Sequence, residues 1–283
     1  MMSIADFEND QEYRDFEMWI DDQNKARATA KSYRTTFRKL RNILGKNIRD
    51  TAQETVIKAV IAAIENVNSQ AALLNVAIIL REQVYQMPAN ELIEQRALNK
   101  GTIVEALKMT NMFIVLPSLD DFDAYLETLW KEYRLKEYII NYLIRHHCVR
   151  NQDLIFHVVE RKSDTTDETK NYMWIDRKKQ RCVFIRNVYK TSGTYGQKQA
   201  ILTNERFLAA LKKTKSMWPL TEDQFKIGYY IQKFSYNQLG ESNLLKIIIN
   251  HYKGDISKLK EISESRGTDL NTLLTSYNVN YTD

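Results

Sequence analysis

Glycine, proline and cysteine are scarce in this sequence, and each scarcity excludes a class of protein. Among 283 residues there are only 8 glycines and 3 prolines, too few for the many tight turns of a β-sandwich or barrel. Helices with short connections are therefore expected. The two cysteines, Cys148 and Cys182, form no CxxC or Cys/His pattern. We expect reduced thiols in an intracellular protein with no metal or other cofactor.

Long hydrophobic runs are also missing. No stretch of about 18 apolar residues is present, so no membrane-spanning helix is predicted. The first ten residues are acidic and lack the apolar segment of a signal peptide. The sequence is 43% hydrophobic and 27% charged, with a net charge of +5. This composition supports a buried core, and its mildly basic balance permits a nucleic-acid partner without requiring one.

Residues 1–87 are predicted to form a small helical domain. Apolar residues recur at helical spacing in four segments, and Ser69 is the expected N-cap of the fourth. The second segment, about Ala28 to Leu44, is basic outside its apolar stripe. Such a helix either lies along a phosphate backbone or forms the solvated face of a bundle. Its candidate DNA contacts are Lys31, Arg34, Arg38 and Lys39.

A helix-containing linker is expected at 88–117, and a second domain at 118–283. Ser118 and the two aspartates that follow predict a helix start. Ile155 to Val159 and Tyr172 to Ile175 are predicted strands. Together with the helical patterns, these strands predict a mainly α fold with a small β-sheet, of the α+β class.

The segment from Arg181 to Thr203 predicts a β-hairpin. Val183, Ile185 and Val188 lie in the first run, and glycines at 193 and 196 supply the turn. Hydroxyl and ammonium groups on such a turn suit close approach to a phosphate backbone, although an ordinary exposed hairpin has the same pattern. The candidate contacts here are Arg186, Lys190, Thr191, Thr194 and Lys198.

The order of several residues in the second domain resembles the catalytic domain of tyrosine recombinases (phage-type integrases). Arg150 is followed three positions later by Asp153, Lys190 lies in the predicted hairpin, and Gly267 precedes Tyr277 by ten positions. The likeness is greatest to divergent recombinase-like proteins of large eukaryotic DNA viruses. It covers about residues 118–283, and the N-terminal helices resemble the core-binding domain of that family.

The resemblance implies a DNA-cleaving site that needs no metal. Tyr277 would be the nucleophile that forms a phosphotyrosine, Arg150 would hold the non-bridging oxygens, and Lys190 would protonate the leaving oxygen. Asp153 would orient the arginine. Taken alone, Arg150 could instead bond a helix C-terminus, Lys190 could be solvated, and Tyr277 could belong to the core. Tyr281 is a second tyrosine nearby, four residues off the family spacing.

Three members of the family pattern are absent: both residues of its His-x-x-Arg block and a later histidine. The His-x-x-Arg block should fall within 239–249, where Leu245 or Asn243 takes the place of the second arginine and Lys246 is the nearby cation. Thr268 replaces the later histidine. Losing one oxyanion donor costs about two to three orders of magnitude in rate. The resemblance therefore implies a DNA-binding protein that clamps duplex DNA between its domains, with reduced or lost strand cleavage.

Two alternatives remain open at the level of the sequence. One is an active recombinase in which Lys246, also a candidate DNA contact, or His251 compensates for the missing groups. The other is a structural or protein-interaction module that kept the fold. His146 and His147 have no further ligand at metal-binding spacing, so no metal site is predicted.

The expected partner is double-stranded DNA, with no membrane. Only six residues follow Tyr277, too few for a helix exchanged between protomers, so we expect a monomer or assembly on DNA. The viral resemblance implies the cytoplasm or nucleus of a host cell, or the virion.

Overall fold

The first part of the chain is helical. The computed structural model describes residues 7, 9–25 and 27–277. The chain divides into two units, 1–107 and 108–283, called here unit 1 and unit 2. The helices that begin in unit 1 are α1 (Gln11–Asp22), α2 (Arg27–Leu44), α3 (Gln53–Ala63), α4 (Val67–Ile79, continued by a π-helical segment Leu80–Val84) and α5 (Asn90–Phe113).

Helix α2 confirms the predicted basic amphipathic helix to within one residue. Phe37 and Leu40 are fully buried in the core of unit 1, because residues three apart share one face of a helix. The predicted cap of α4 was wrong. Asn66, in an extended conformation, accepts a hydrogen bond from the backbone N–H of Ser69, so the helix begins before Ser69.

Unit 2 contains eight described α-helices, one of which is a single turn. Its helices are α6 (Leu119–Lys131), α7 (Leu135–His147), α8 (Ser192–Tyr195), α9 (Glu205–Thr214), α10 (Ile227–Phe234), α11 (Gly240–His251), α12 (Ile256–Arg266) and α13 (Leu270–Tyr277). A capping box between Ser118 and Asp121 starts α6, as the sequence predicts. Helix α7 lies within the main core of this unit, as its apolar sequence predicts.

A four-stranded sheet in the order β1-β2-β3-β4 completes unit 2. Its strands are β1 (Phe156–Val159), β2 (Asn171–Asp176), β3 (Arg181–Arg186) and β4 (Lys198–Leu202). Strands β1 and β2 are parallel, and the other two pairs are antiparallel. The predicted strands and hairpin are confirmed, and so is the fold class, mainly α with a small sheet.

The hairpin connection differs from the predicted tight turn. The one-turn helix α8 lies between β3 and β4, and Val188 lies outside β3. The side chain of Asn171 explains this ending. Its Oδ1 accepts from the N–H of Val188 and its Nδ2 donates to the carbonyl of Val188, both at 2.8 Å. A side chain therefore satisfies the backbone groups of Val188 in place of a neighbouring strand.

The predicted linker at 88–117 consists mostly of α5, a single helix, and the predicted domain boundaries stay predictions. No helix in the described part of the chain is both long enough and apolar enough to cross a membrane. Cys148 and Cys182 are free thiols, and both are buried.

Candidate nucleic-acid interface

Arg150 lies at the turn that follows α7. The helix ends at His147, and its C-cap, Cys148, has a left-handed backbone (φ 47°) and is buried. A short 3₁₀ helix, Asn151–Leu154, begins directly after Arg150. The carboxylate of Asp153 accepts a hydrogen bond from the backbone N–H of Arg150 at 3.1 Å. The Asp three positions after the Arg therefore fixes the backbone from which the guanidinium extends.

Asp153 also joins this turn to the sheet. Arg186, the last residue of β3, places its Nη1 3.3 Å from Asp153 Oδ2, and both side chains are at most 5% exposed. Burial raises the pKa of Asp153, while the charge of Arg186 opposes that rise. The second carboxylate oxygen of Asp153 has no hydrogen-bond partner within the described residues. The pair is thus a buried ion pair that holds the Arg150 turn against β3.

Lys198 brings a second charge next to these groups. It is the first residue of β4 and lies opposite Arg186 in the strand register. Its ammonium group donates to the carbonyl of Glu264 and lies over the rings of Tyr189 and Tyr195, at 5.4 and 5.1 Å. Burial lowers the pKa of Lys198, and the charges of Arg186 and Arg150 lower it further. A lysine with a lowered pKa gives up its proton more readily than an exposed one.

The α8 loop packs against the end of α12. Thr191 Oγ1 donates to the carbonyl of Gly267 at 2.8 Å, and Tyr189 donates to the carbonyl of Gly196 at 2.7 Å. Gly267 has φ +60°, and a Cβ there would lie 2.5 Å from Thr191 Oγ1. Only glycine combines this left-handed backbone with such close approach. Gly267, identified from its spacing to Tyr277, therefore holds the hairpin connection in place.

Arg266 is the functional candidate that the sequence reasoning missed. It is the last residue of α12 and is 3% exposed. Nη1 donates to the carbonyl of Cys148 at 2.7 Å, and Nη2 contacts Glu241 Oε1 at 2.5 Å. Its guanidinium carbon lies 5.7 Å from the ring centre of Tyr277. The available signal was its position immediately before Gly267.

These side chains form one group, which we call the basic cluster: Arg150, Asp153, Arg186, Lys198, Glu241 and Arg266. Four are cationic and two anionic, so the cluster carries a net charge of about +2 at neutral pH. Buried guanidinium nitrogens of Arg150 (Nη1), Arg186 (Nε) and Arg266 (Nε) have no partner among the described residues. Burial lowers the pKa of Arg150 and the charge of Arg266 adds to that effect, whereas Asp153, Glu241 and Tyr277 oppose it. The cluster therefore has the charge and the donors to hold an anion.

Comparisons with known proteins show a likeness to solved structures. No protein-family model matches the chain, and neither does any curated protein. Among solved structures the chain is similar to the crystal structure of XerA recombinase, with 14% sequence identity and a TM-score of 0.38. The match covers 96% of this chain and 94% of that chain. A likeness of this degree transfers no function.

The predicted catalytic residues are only partly brought together. Arg150, Asp153 and Tyr277 lie in or beside the basic cluster, and Tyr277 is half-buried. Lys190 is exposed, and none of the described residues forms a hydrogen bond or ion pair with it. Lys198, predicted only as a DNA contact, is the hairpin lysine near Arg150. Tyr281 lies outside the described residues.

The block expected to carry the second arginine forms α11. Leu245 is buried, and Asn243 donates to the carbonyl of Leu239 at 3.2 Å. Burial lowers the pKa of Lys246, which is half-buried. His251 is exposed at the end of the helix. Glu241, at the start of α11, is the residue of this block that joins the cluster.

The other predicted DNA contacts are placed as follows. Thr194 is exposed in α8, whereas Thr191 is engaged with Gly267. In α2, the two predicted arginines are engaged within unit 1: Arg34 pairs with Glu17 at 2.7 Å, and Arg38 donates to the hydroxyl of Tyr13 at 2.7 Å. The two predicted lysines of α2, Lys31 and Lys39, are exposed.

No group of three or more potential metal ligands occurs among residues 7, 9–25 and 27–277. The histidine pair instead illustrates the effect of burial on charge. Burial lowers the pKa of His147 to about 4, and the charges of His146 and Arg186 add to the effect. The folded protein therefore holds His147 neutral at a pH where the unfolded chain protonates it.

We expect His147 to make the protein acid-sensitive. Its folded pKa is below its unfolded value, so its contribution is present above about pH 6.5 and is lost as the pH falls toward 4. At pH 5 the loss amounts to about 2 kcal/mol. Urea denaturation of the wild type and His147→Gln at pH 7 and pH 5 measures the difference. Parallel pH dependence in the two proteins would contradict the assignment, and His251→Gln, at an exposed histidine, is the control.

Proposed function

We propose that the protein binds duplex DNA through the basic cluster, as a tyrosine-recombinase-like protein with reduced or lost strand cleavage. The observation that carries the proposal is the net positive charge of the cluster together with the unpartnered Nη1 of Arg150. A buried guanidinium N–H needs an acceptor, and a phosphodiester oxygen is a strong one. Binding of this kind releases counterions and weakens steeply as salt increases.

The hydrogen bonds and burial of the Arg266 guanidinium support a loss of strand cleavage. A cleaving site needs guanidinium groups that can grip the phosphate as its charge develops. The side chain of Arg266 is 2% exposed, and its terminal nitrogens are bonded to Cys148, Val149 and Glu241. It cannot reach a phosphate without breaking these bonds. Among the described residues of the cluster, Arg150 is then the guanidinium with a buried terminal nitrogen, Nη1, that lacks a hydrogen-bond partner.

A second candidate function is DNA strand cleavage, and the placement of Tyr277 beside Arg266 favours it. The hydroxyl of Tyr277 would lose its proton to solvent, and its oxygen would attack the phosphorus, form a 3′-phosphotyrosine and release the 5′ oxygen. The lowered pKa of Lys198 suits that residue to donate the proton that turns the leaving oxygen into a hydroxyl. Lys198 would thus take the role that the resemblance gives to Lys190.

The clamp form of the proposal adds contacts from unit 1. Lys31 and Lys39 are exposed on α2 and would contact phosphates directly. Arg34 and Arg38 are engaged with Glu17 and Tyr13, so they would shape this surface more than they contact DNA. Any self-assembly on DNA is also part of the proposal.

Replacing Lys198 by methionine is expected to weaken binding to a mixed-sequence duplex by about tenfold and to lower the salt slope by about 1. Lys190→Met is the matched control, since it removes the same charge from the same hairpin at an exposed position. Fluorescence anisotropy at several salt concentrations measures both quantities. An equal loss in the two variants would show that only the charge of the hairpin matters. Binding that is absent or insensitive to salt in the wild type would refute the proposed function.

A nicked suicide duplex separates the two candidate functions. We expect the wild type to bind it without a covalent adduct. An adduct that is lost in Tyr277→Phe would establish cleavage in place of simple binding. If the wild type does not bind DNA at all, the protein-interaction alternative becomes the one to test.

A further inference from the structure

Arg150 is held on both sides by one ion pair. On its N-terminal side, Arg266 Nη1 donates to the carbonyls of Cys148 and Val149, at 2.7 and 3.4 Å. On its C-terminal side, the N–H of Asn151 donates to Glu241 Oε2 at 3.0 Å. Arg266 and Glu241 are themselves joined at 2.5 Å. The pair therefore closes a loop of contacts around Arg150.

The position of this pair is costly to maintain. Both side chains are largely buried, at 2% and 14% exposure, and taking two charges out of water carries a large desolvation penalty. Cys148 has a left-handed backbone conformation, which residues other than glycine rarely adopt. Arg266 bonds the carbonyl of this strained residue. Its planar fork supplies N–H groups in several directions at once, which a lysine cannot do.

We propose that the Glu241–Arg266 pair is a positioning device for Arg150. The pair fixes the backbone on either side of Arg150, so that its unpartnered Nη1 is oriented before the anion arrives. The inference rests on the proposed function, since it assigns Arg150 as the phosphate-binding group. Arg266 is then a positioning residue that holds the guanidinium of Arg150 in place and makes no contact with DNA. Its contact with the ring of Tyr277 ties α13 to the same arrangement.

Another ion pair in unit 2 provides a comparison. Arg145 makes a two-pronged contact with Asp123, at 2.7 and 2.8 Å. It lies on the same helix, α7, that leads into the Arg150 turn. Its guanidinium bonds the side chains of Asp123 and Tyr252, and none of its described hydrogen bonds goes to the backbone at 148–151. Removing it tests the effect of losing a partly buried pair without changing the support of Arg150.

The experiment uses charge-neutral variants. Glu241→Gln combined with Arg266→Met removes the pair without changing the net charge, and Asp123→Asn with Arg145→Met does the same for the comparison pair. Duplex affinity and its salt slope are measured for both pair variants and for Arg150→Met. They are also measured for a variant that combines Arg150→Met with the two substitutions at Glu241 and Arg266. Circular dichroism and urea denaturation establish that each variant is folded. Arg266→Lys, which keeps the charge but not the fork, replaces the pair variant if that variant does not fold.

We expect Arg150→Met to lower affinity about tenfold and the slope by about 1. The Glu241/Arg266 variant should show a similar loss, and adding Arg150→Met should cause no further one, because both changes disable the same contact. Arg266→Lys should lose part of the affinity, and the Asp123/Arg145 variant should bind like the wild type. Additive losses, or a pair variant with wild-type affinity, would overturn the positioning role. If Arg150→Met binds normally, the proposed function itself fails.

Discussion

Asp153→Ala should lower the free energy of unfolding of unit 2 by about 3–5 kcal/mol, because it leaves the charge of Arg186 buried without its partner. Arg186 is 4% exposed, and its Nε already lacks a partner among the described residues. The same substitution removes the acceptor for the backbone N–H of Arg150. Urea denaturation followed by tryptophan fluorescence measures the change. Three of the four tryptophans, Trp130, Trp174 and Trp218, lie in unit 2.

Two further variants test the reason for that loss. Glu160→Ala removes a carboxylate that also pairs with cations, Arg177 and Lys215, but at the surface. It should leave the free energy of unfolding nearly unchanged, because ion pairs at the surface contribute little. Combining Asp153→Ala with Arg186→Met removes both buried charges and should restore part of the stability. If the combined variant is no more stable than Asp153→Ala, the unpaired charge is not the cause.

Gly267→Val should both destabilise unit 2 and impair the proposed DNA binding. The left-handed backbone costs a residue with a side chain about 1–2 kcal/mol, and overpacking adds about 1–3 kcal/mol. A Cβ would lie 2.5 Å from Thr191 Oγ1 and 3.2 Å from both Lys198 Nζ and Tyr195 Cδ2. The hairpin connection must therefore move, and Lys198 with it. We expect a loss of duplex affinity of at least tenfold, measured by anisotropy, beside the loss of stability.

The other glycines provide controls for this substitution. Gly254→Ala meets no atom within 4 Å and requires no left-handed backbone, so it should change stability by less than about 0.5 kcal/mol. Gly45 has φ +66° but open space around it. Gly45→Ala therefore measures the cost of a side chain on a left-handed backbone without any overpacking. If Gly267→Val binds DNA like Gly254→Ala, the contact between Gly267 and the hairpin does not position Lys198.

Local patterns predicted the architecture well. The apolar stripe of α2, the capping box at Ser118 and the β-branched runs of β2 and β3 each depend on residues close together in sequence. The exceptions involve side chains that act across the chain. Val188 leaves the strand because Asn171, 17 residues earlier, satisfies its backbone groups.

The site was less accessible to sequence reasoning. Arg150 and Asp153 could be identified because their contact spans three residues. The choice between Lys190 and Lys198 depends on how the α8 loop folds, and both lysines fit a hairpin pattern. Arg266 was missed because its partners, Cys148 and Glu241, lie 118 and 25 positions away. No local pattern records contacts at such separations.

The docking of the α8 loop has a kinetic consequence. Thr191 anchors the loop to Gly267, Tyr189 closes it through Gly196, and Lys198 bonds the end of α12. A loop held at three points loses little conformational entropy when a ligand arrives. Association should then proceed as a rigid encounter guided by the positive field of the cluster, with no slow step for ordering the hairpin. Differences in affinity between ligands would accordingly appear in the dissociation rate of the complex.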